Sequence, residues 1–146
     1  MGAELGGAAP LTPRRRTAYA LINGSSAPVW LAMILAPRAR LTRWLVARAP
    51  VLFVALGLSY DALLASGVVR VGRPIDFRDP DAVRAALTGP DVFLAGWAHY
   101  IAFDLFVGRW IWEDALRAER QARLALLLTW LAGPAGLSVY LVQRGR

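Results

Sequence analysis

Between Gly96 and Asp114 the chain reads Gly-Trp-Ala-His-Tyr-Ile-Ala-Phe-Asp-Leu-Phe-Val-Gly-Arg-Trp-Ile-Trp-Glu-Asp. With the residues just before it, this run approaches the length of about 20 apolar residues that a helix needs to cross a bilayer. It also carries the only histidine of the chain, His99, together with Asp104 and Arg109. An aspartate at membrane depth costs roughly 2.5 to 3.5 kcal/mol on insertion scales. The fold must therefore bring these groups to partners on other segments, to water, or into a site.

The composition agrees with a membrane protein. Hydrophobic residues make up 57% of the 146 positions, and the mean hydropathy of +0.42 exceeds that of an ordinary soluble domain. The absence of cysteine removes disulfides, thiolate metal sites and thiol catalysis, and one histidine cannot build a histidine-rich metal centre. All 17 basic residues are arginine in a chain rich in Ala, Gly and Pro, the codon signature of a GC-rich genome, so a bacterial inner membrane is the expected setting. The arginines are scattered between apolar runs, where they meet lipid headgroups, and form no stripe of the kind that binds nucleic acid.

In chain order, residues 1–13 lack periodicity and are expected to form a disordered tail. After Arg14, Arg15 and Arg16 a first span is expected over 17–36, uncleaved because Asn23-Gly24-Ser25-Ser26 interrupts any short signal-peptide core. Pro37 closes it, Arg38, Arg40 and Arg43 form a basic loop, and a second span is expected over 49–69 with Pro50 in its first turn. In the polar connection that follows, Asp79 to Leu87 reads as a short interfacial helix capped by Asp79 or Asp81 and ended by Thr88-Gly89-Pro90. The third span covers 93–112 and continues as a charged helix to Arg123; the fourth covers 124–142, kinked at Gly133-Pro134. The fold class is thus all-α: a single bundle of four transmembrane helices over 14–146 with an interfacial helix in its second loop. Counting arginines on either side puts both termini in the cytoplasm.

Several spans aim polar groups at one depth. The first offers Asn23 and Ser26, the second Tyr60 and Asp61, the third His99 and Asp104. On the third helix His99 shares a stripe with Phe103, Phe106 and Trp110, while Asp104 lies about 140° around the helix beside Trp97 and Tyr100. The two cannot pair within their own helix, so a shared site requires the other spans to wrap it. Asn23, Ser26, Tyr60, Asp61, Trp97, Tyr100 and Phe103 are candidates for its lining. The plainer reading is polar glue, interhelical hydrogen bonds that stitch the bundle together. Titratable groups are a costly form of glue, which favours His99 and Asp104 as functional. Arg109, four residues before Glu113, suits an interfacial ion pair.

The block Trp97, His99, Tyr100, Ala102, Phe103, Asp104, Leu105, Phe106, Gly108, Arg109 and Trp110 closely resembles the signature of the abscisic-acid-deficiency-four-like family of small membrane proteins. The resemblance extends to Gly133-Pro134 and Gly136-Leu137 and to the layout of spans. In plants that family is associated with neoxanthin synthesis from violaxanthin, an isomerisation in which an epoxide opens and a neighbouring polyene carbon loses a proton to give an allene. The resemblance therefore implies an acid for the oxygen and a base for the proton, without cofactor. His99 and Asp104 would supply them, in either assignment.

Two classes of function are open on the sequence. One is a cofactor-independent isomerase of a carotenoid or another isoprenoid lipid; the other is a non-catalytic module that binds such a lipid or assists an enzyme complex. The arrangement of His99 and Asp104 around a lipid-shaped cavity separates them.

Overall fold

The computed structural model describes residues 10–72 and 74–145, so most of the tail expected over 1–13 lies outside the described residues. Those residues form seven helices: α1 (Pro13–Ser25), α2 (Ala27–Leu35), α3 (Arg40–Val71), α4 (Pro80–Leu87), α5 (Pro90–Arg117), α6 (Arg123–Ala132) and α7 (Pro134–Arg144). No strand occurs among them. Two stretches, Pro13–Leu35 and Arg40–Arg70, are long and apolar enough to cross a membrane.

The first rod is α1 continued by α2, with a break at Ser26, where Pro28 withdraws one helical N–H. It starts at Pro13, so the arginines expected to precede the first span ride on its first turn. The second helix starts at Arg40, and Pro50 sits in its interior, not in its first turn as expected. Arg40 and Arg43 are therefore helical, and Arg48 lies over the Trp44 ring at 3.9 Å. Gly72 ends α3 with φ +71, a left-handed conformation open to glycine. The short helix expected in the second loop forms: the Asp79 side chain accepts the Asp81 N–H and caps α4.

α5 is the axis on which the others pack. α1 and α2 run parallel to it, as Arg15 meets Asp91 and, further along, the Trp30 indole lies across Gly108. α3 runs antiparallel, since Ser66 reaches Asp91, Tyr60 faces His99 and Phe53 faces Phe106. Gly67 permits the α3 approach: a Cβ there would meet Val92 Cγ2 at 2.6 Å. The main core gathers Trp30, Met33, Leu105, Ile111, Trp112, Leu126 and Tyr140. α5 ends at Arg117, short of the charged continuation expected to Arg123, and Glu119 takes a φ of +54 in the turn that follows.

The fourth apolar segment corrects the expectation of a fourth span. α6 leaves the C-terminal end of α5, and α7 comes back to it: Tyr140 and Arg144 both reach Asp114, and Arg120 donates to the carbonyls of Gln143 and Arg144. The pair is a hairpin reaching about half the depth of the bundle. At its tip Gly133 takes φ +46 and ψ −103, and Pro134 cannot continue the α6 ladder, so the chain reverses where a kink was expected. Gly136 packs against Thr129 and the Ala125 carbonyl with no room for a side chain, which lets the two arms touch. The start of α1 and the end of α7 consequently lie at opposite ends of α5, and not at the same end as the four-span count required.

Candidate functional site

The groups expected to share one site fall into separate places. His99 projects from α5 toward α3 and α4. Its ring stacks on Phe103 at 4.4 Å between centroids and lies 5.8 Å from Tyr60 and 6.2 Å from Tyr100. His99, Tyr60 and Tyr100 line a groove of about 220 Å³ together with Leu64 of α3, Ile75 and Phe77 of the connection, Val83 and Leu87 of α4, and Val92 and Gly96 of α5. α4 forms its roof because the cap at Asp79 and the stop at Gly89-Pro90 leave the Val83 and Leu87 side chains over α5.

Beyond the His99–Phe103 stack a second furrow of about 400 Å³ is lined by Phe53, Gly57, Ala102, Phe103 and Phe106. From Val92 to Phe106 the α3–α5 seam extends about 21 Å, and its walls are aromatic and aliphatic apart from His99 and the tyrosine hydroxyls.

Asp104 does not open into this groove. It lies half-buried on the face of α5 that meets the hairpin, and a Cβ placed on Gly133 would stand 2.8 Å from its carboxylate. No hydrogen bond joins it to His99. Ser26 is fully buried, with no partner for its hydroxyl among the described residues. Asn23 lies on a third surface, where it accepts the Trp97 indole N–H at 3.2 Å beside a stack of Tyr19, Phe93 and Trp97. Asp61, expected to line a pocket, is exposed on the outer face of α3. Of the nominated lining residues, Tyr60, Tyr100 and Phe103 accompany His99; Asn23, Ser26, Asp61 and Trp97 do not. Arg109 forms the expected pair with Glu113 at 2.8 Å.

A polar cluster that was not among the candidate residues lies at the start of α5. Asp91, in the first turn of α5, is buried and receives two hydrogen bonds from Arg15 at 2.8 and 3.0 Å, one from Ser66 at 3.2 Å and an ion pair from Arg70 at 2.8 Å. The Arg15 hydrogen bonds hold the Asp91 carboxyl below its ordinary pKa against the opposing effect of burial. This clamp ties α1, α3 and α5 together just above the groove. The available signal was an acid at a helix N-terminus next to arginine-flanked spans, and the spacing in sequence did not say which arginine would reach it.

No group of three or more His, Asp or Glu side chains among the described residues is placed to hold a metal ion. What the fold defines is an all-helical protein among its described residues, two of whose rods are long and apolar enough to cross a membrane, with two apolar furrows along one helix pair and a lone imidazole lining one of them. A family model described as ABA DEFICIENT 4-like matches residues 17–140, and the chain belongs to that family. No curated protein and no solved structure matches the chain.

Proposed function

We propose that the chain is an integral membrane protein that takes a long apolar isoprenoid, of carotenoid type, into the α3–α4–α5 groove and isomerises it by acid–base chemistry centred on His99. Three rods, α1 with α2, α3 and α5, cross the bilayer, and α6 with α7 enters it as a hairpin. The observation that carries this reading is the seam itself: two apolar furrows along α3 and α5, together extending about 21 Å from Val92 to Phe106, with the only histidine of the chain lining one of them and stacked on Phe103 of the other.

Tyr60 is the group best placed to work with His99, since their rings lie 5.8 Å apart across the groove. For an epoxide-to-allene isomerisation, the Tyr60 hydroxyl would give its proton to the epoxide oxygen while the neutral His99 imidazole takes the proton leaving the polyene carbon. A proton passed from imidazolium to phenolate then restores both groups, and the product is an isomer of the substrate with no cofactor consumed. The expected partner of His99, Asp104, faces the hairpin and enters this scheme only as a nearby charge.

The test is to incubate the purified chain with epoxy-carotenoids in lipid nanodiscs and follow the isomer profile by chromatography. Wild type should convert a fraction of the pool, His99→Gln should abolish conversion, and Tyr60→Phe should slow it by about 100-fold. Tight binding of the pigment by all three proteins without conversion would mean that the groove serves a carrier or an assembly partner.

A further inference from the structure

We propose that the hairpin tip, Asp104 and Ser26 form a binding site for a monovalent cation of sodium type at mid-depth, separate from the His99 groove. Trp30 lies across Gly108, and α2 runs parallel to α5. One helical turn before each of these residues stand Ser26 and Asp104, on the same stripes that bring Trp30 and Gly108 together. Ser26 therefore comes to the level and the face of Asp104, and Gly133 of the hairpin closes on the carboxylate at the same level.

Each oxygen at this node lacks a partner. The Ser26 Oγ is fully buried and unbonded. The Asp104 carboxylate takes part in no hydrogen bond and no ion pair among the described residues, and the nearest arginine on α5, Arg109, is held by Glu113. At the end of α6 no backbone N–H reaches the carbonyls of Trp130, Leu131 or Ala132, because Pro134 brings none and the chain turns away at Gly133. Nor do the free N–H groups at the start of α7 reach Asp104.

A carboxylate, a hydroxyl and helix-end carbonyls make an all-oxygen set suited to a hard cation. The single negative charge sets the valence: a monovalent ion leaves the node neutral, whereas a divalent ion would leave an uncompensated charge at a depth where that is costly. Both helices that meet α5 here are broken, at Ser26 and at Gly133. Broken helices at mid-depth, whose carbonyls and half-helix ends face an ion, are a recurrent way to hold one in a membrane protein.

The experiment uses the full chain in detergent, unfolded thermally while sodium chloride replaces choline chloride at constant ionic strength, together with equilibrium uptake of radioactive sodium. Wild type should show a saturable rise in Tm and uptake approaching one ion per chain. Ser26→Ala should weaken both responses and Asp104→Asn should abolish them. If Asp104→Asn does not fold, the wild-type uptake and its weakening in Ser26→Ala decide the matter. Identical unfolding in the two salts, a sodium response that both variants keep in full, or a Tm that follows pH and ignores sodium would each overturn the proposal.

Discussion

The Tyr140 hydroxyl donates to the Asp114 carboxylate at 2.7 Å, and this contact returns the last helix to the end of α5 from which the hairpin set out. Arg144 reaches the same carboxylate at 3.1 Å. Tyr140→Phe should lower stability by about 1 kcal/mol, the net value of one such hydrogen bond. Asp114→Ala should lower it more, because it leaves Tyr140 and Arg144 without their acceptor together. Denaturation in mixed micelles measures both.

The hairpin sets the topology. With the end of α7 beside Asp114 and the start of α1 beside Asp91, single cysteines introduced at Thr12 and at Gln143 of this cysteine-free chain should be labelled by an impermeant thiol reagent from opposite sides of the membrane. Labelling of both from one side would restore a fourth crossing. Among the described residues eight arginines flank the end that carries Arg38 and Arg120, against six at the other, so that end should face the cytoplasm.

The clamp at Asp91 predicts an acid dependence. Its carboxyl is held below the ordinary range in the folded protein, so the stability it contributes is present in full above the unfolded-state pKa of about 4 and is lost as the pH falls through the lower, folded value. Asp91→Asn should flatten the acid limb of a stability-versus-pH curve. It should also lower stability at neutral pH, by leaving Arg15 and Arg70 without their shared acceptor.

Two glycines at close contacts should resist substitution. At Gly108 a side chain would run into the Trp30 ring, and Gly108→Ala should cost about 1 to 3 kcal/mol through overpacking. Gly133→Ala combines a φ of +46 with a Cβ at 2.8 Å from Asp104, and should loosen the hairpin tip, seen as faster hydrogen exchange in α7 than in α3.

Much of the fold was legible because its signals are local. Asp79 announces its own cap, the apolar run from Phe93 names a helix, and Arg109 and Glu113 pair across one turn of it. Gly133-Pro134 marks a break just as clearly, but a dipeptide specifies only that the helical ladder stops. Whether the chain bends or reverses is decided by what the next segment can pack on, here Thr129, Ala125 and Asp114. The polar residues showed the same limit. Asn23, Ser26, Tyr60, Asp61, His99 and Asp104 were recognised by depth, whereas sharing a site depends on how each helix is rotated about its axis. That rotation places His99 with Tyr60, Asp104 with Gly133 and Asp61 on the outer surface.

His99 is the only histidine, so its ring nitrogens report on the groove without overlap from any other residue. With ¹⁵N-labelled histidine in nanodiscs, titration with an isoprenoid pigment should shift the imidazole resonances of the wild type. The shift should vanish in Gly96→Leu, whose side chain would fill the groove where Gly96 faces Leu87. Imidazole signals that stay in place while the pigment binds, or that move equally in Gly96→Leu, would contradict the assignment of this groove as the ligand site.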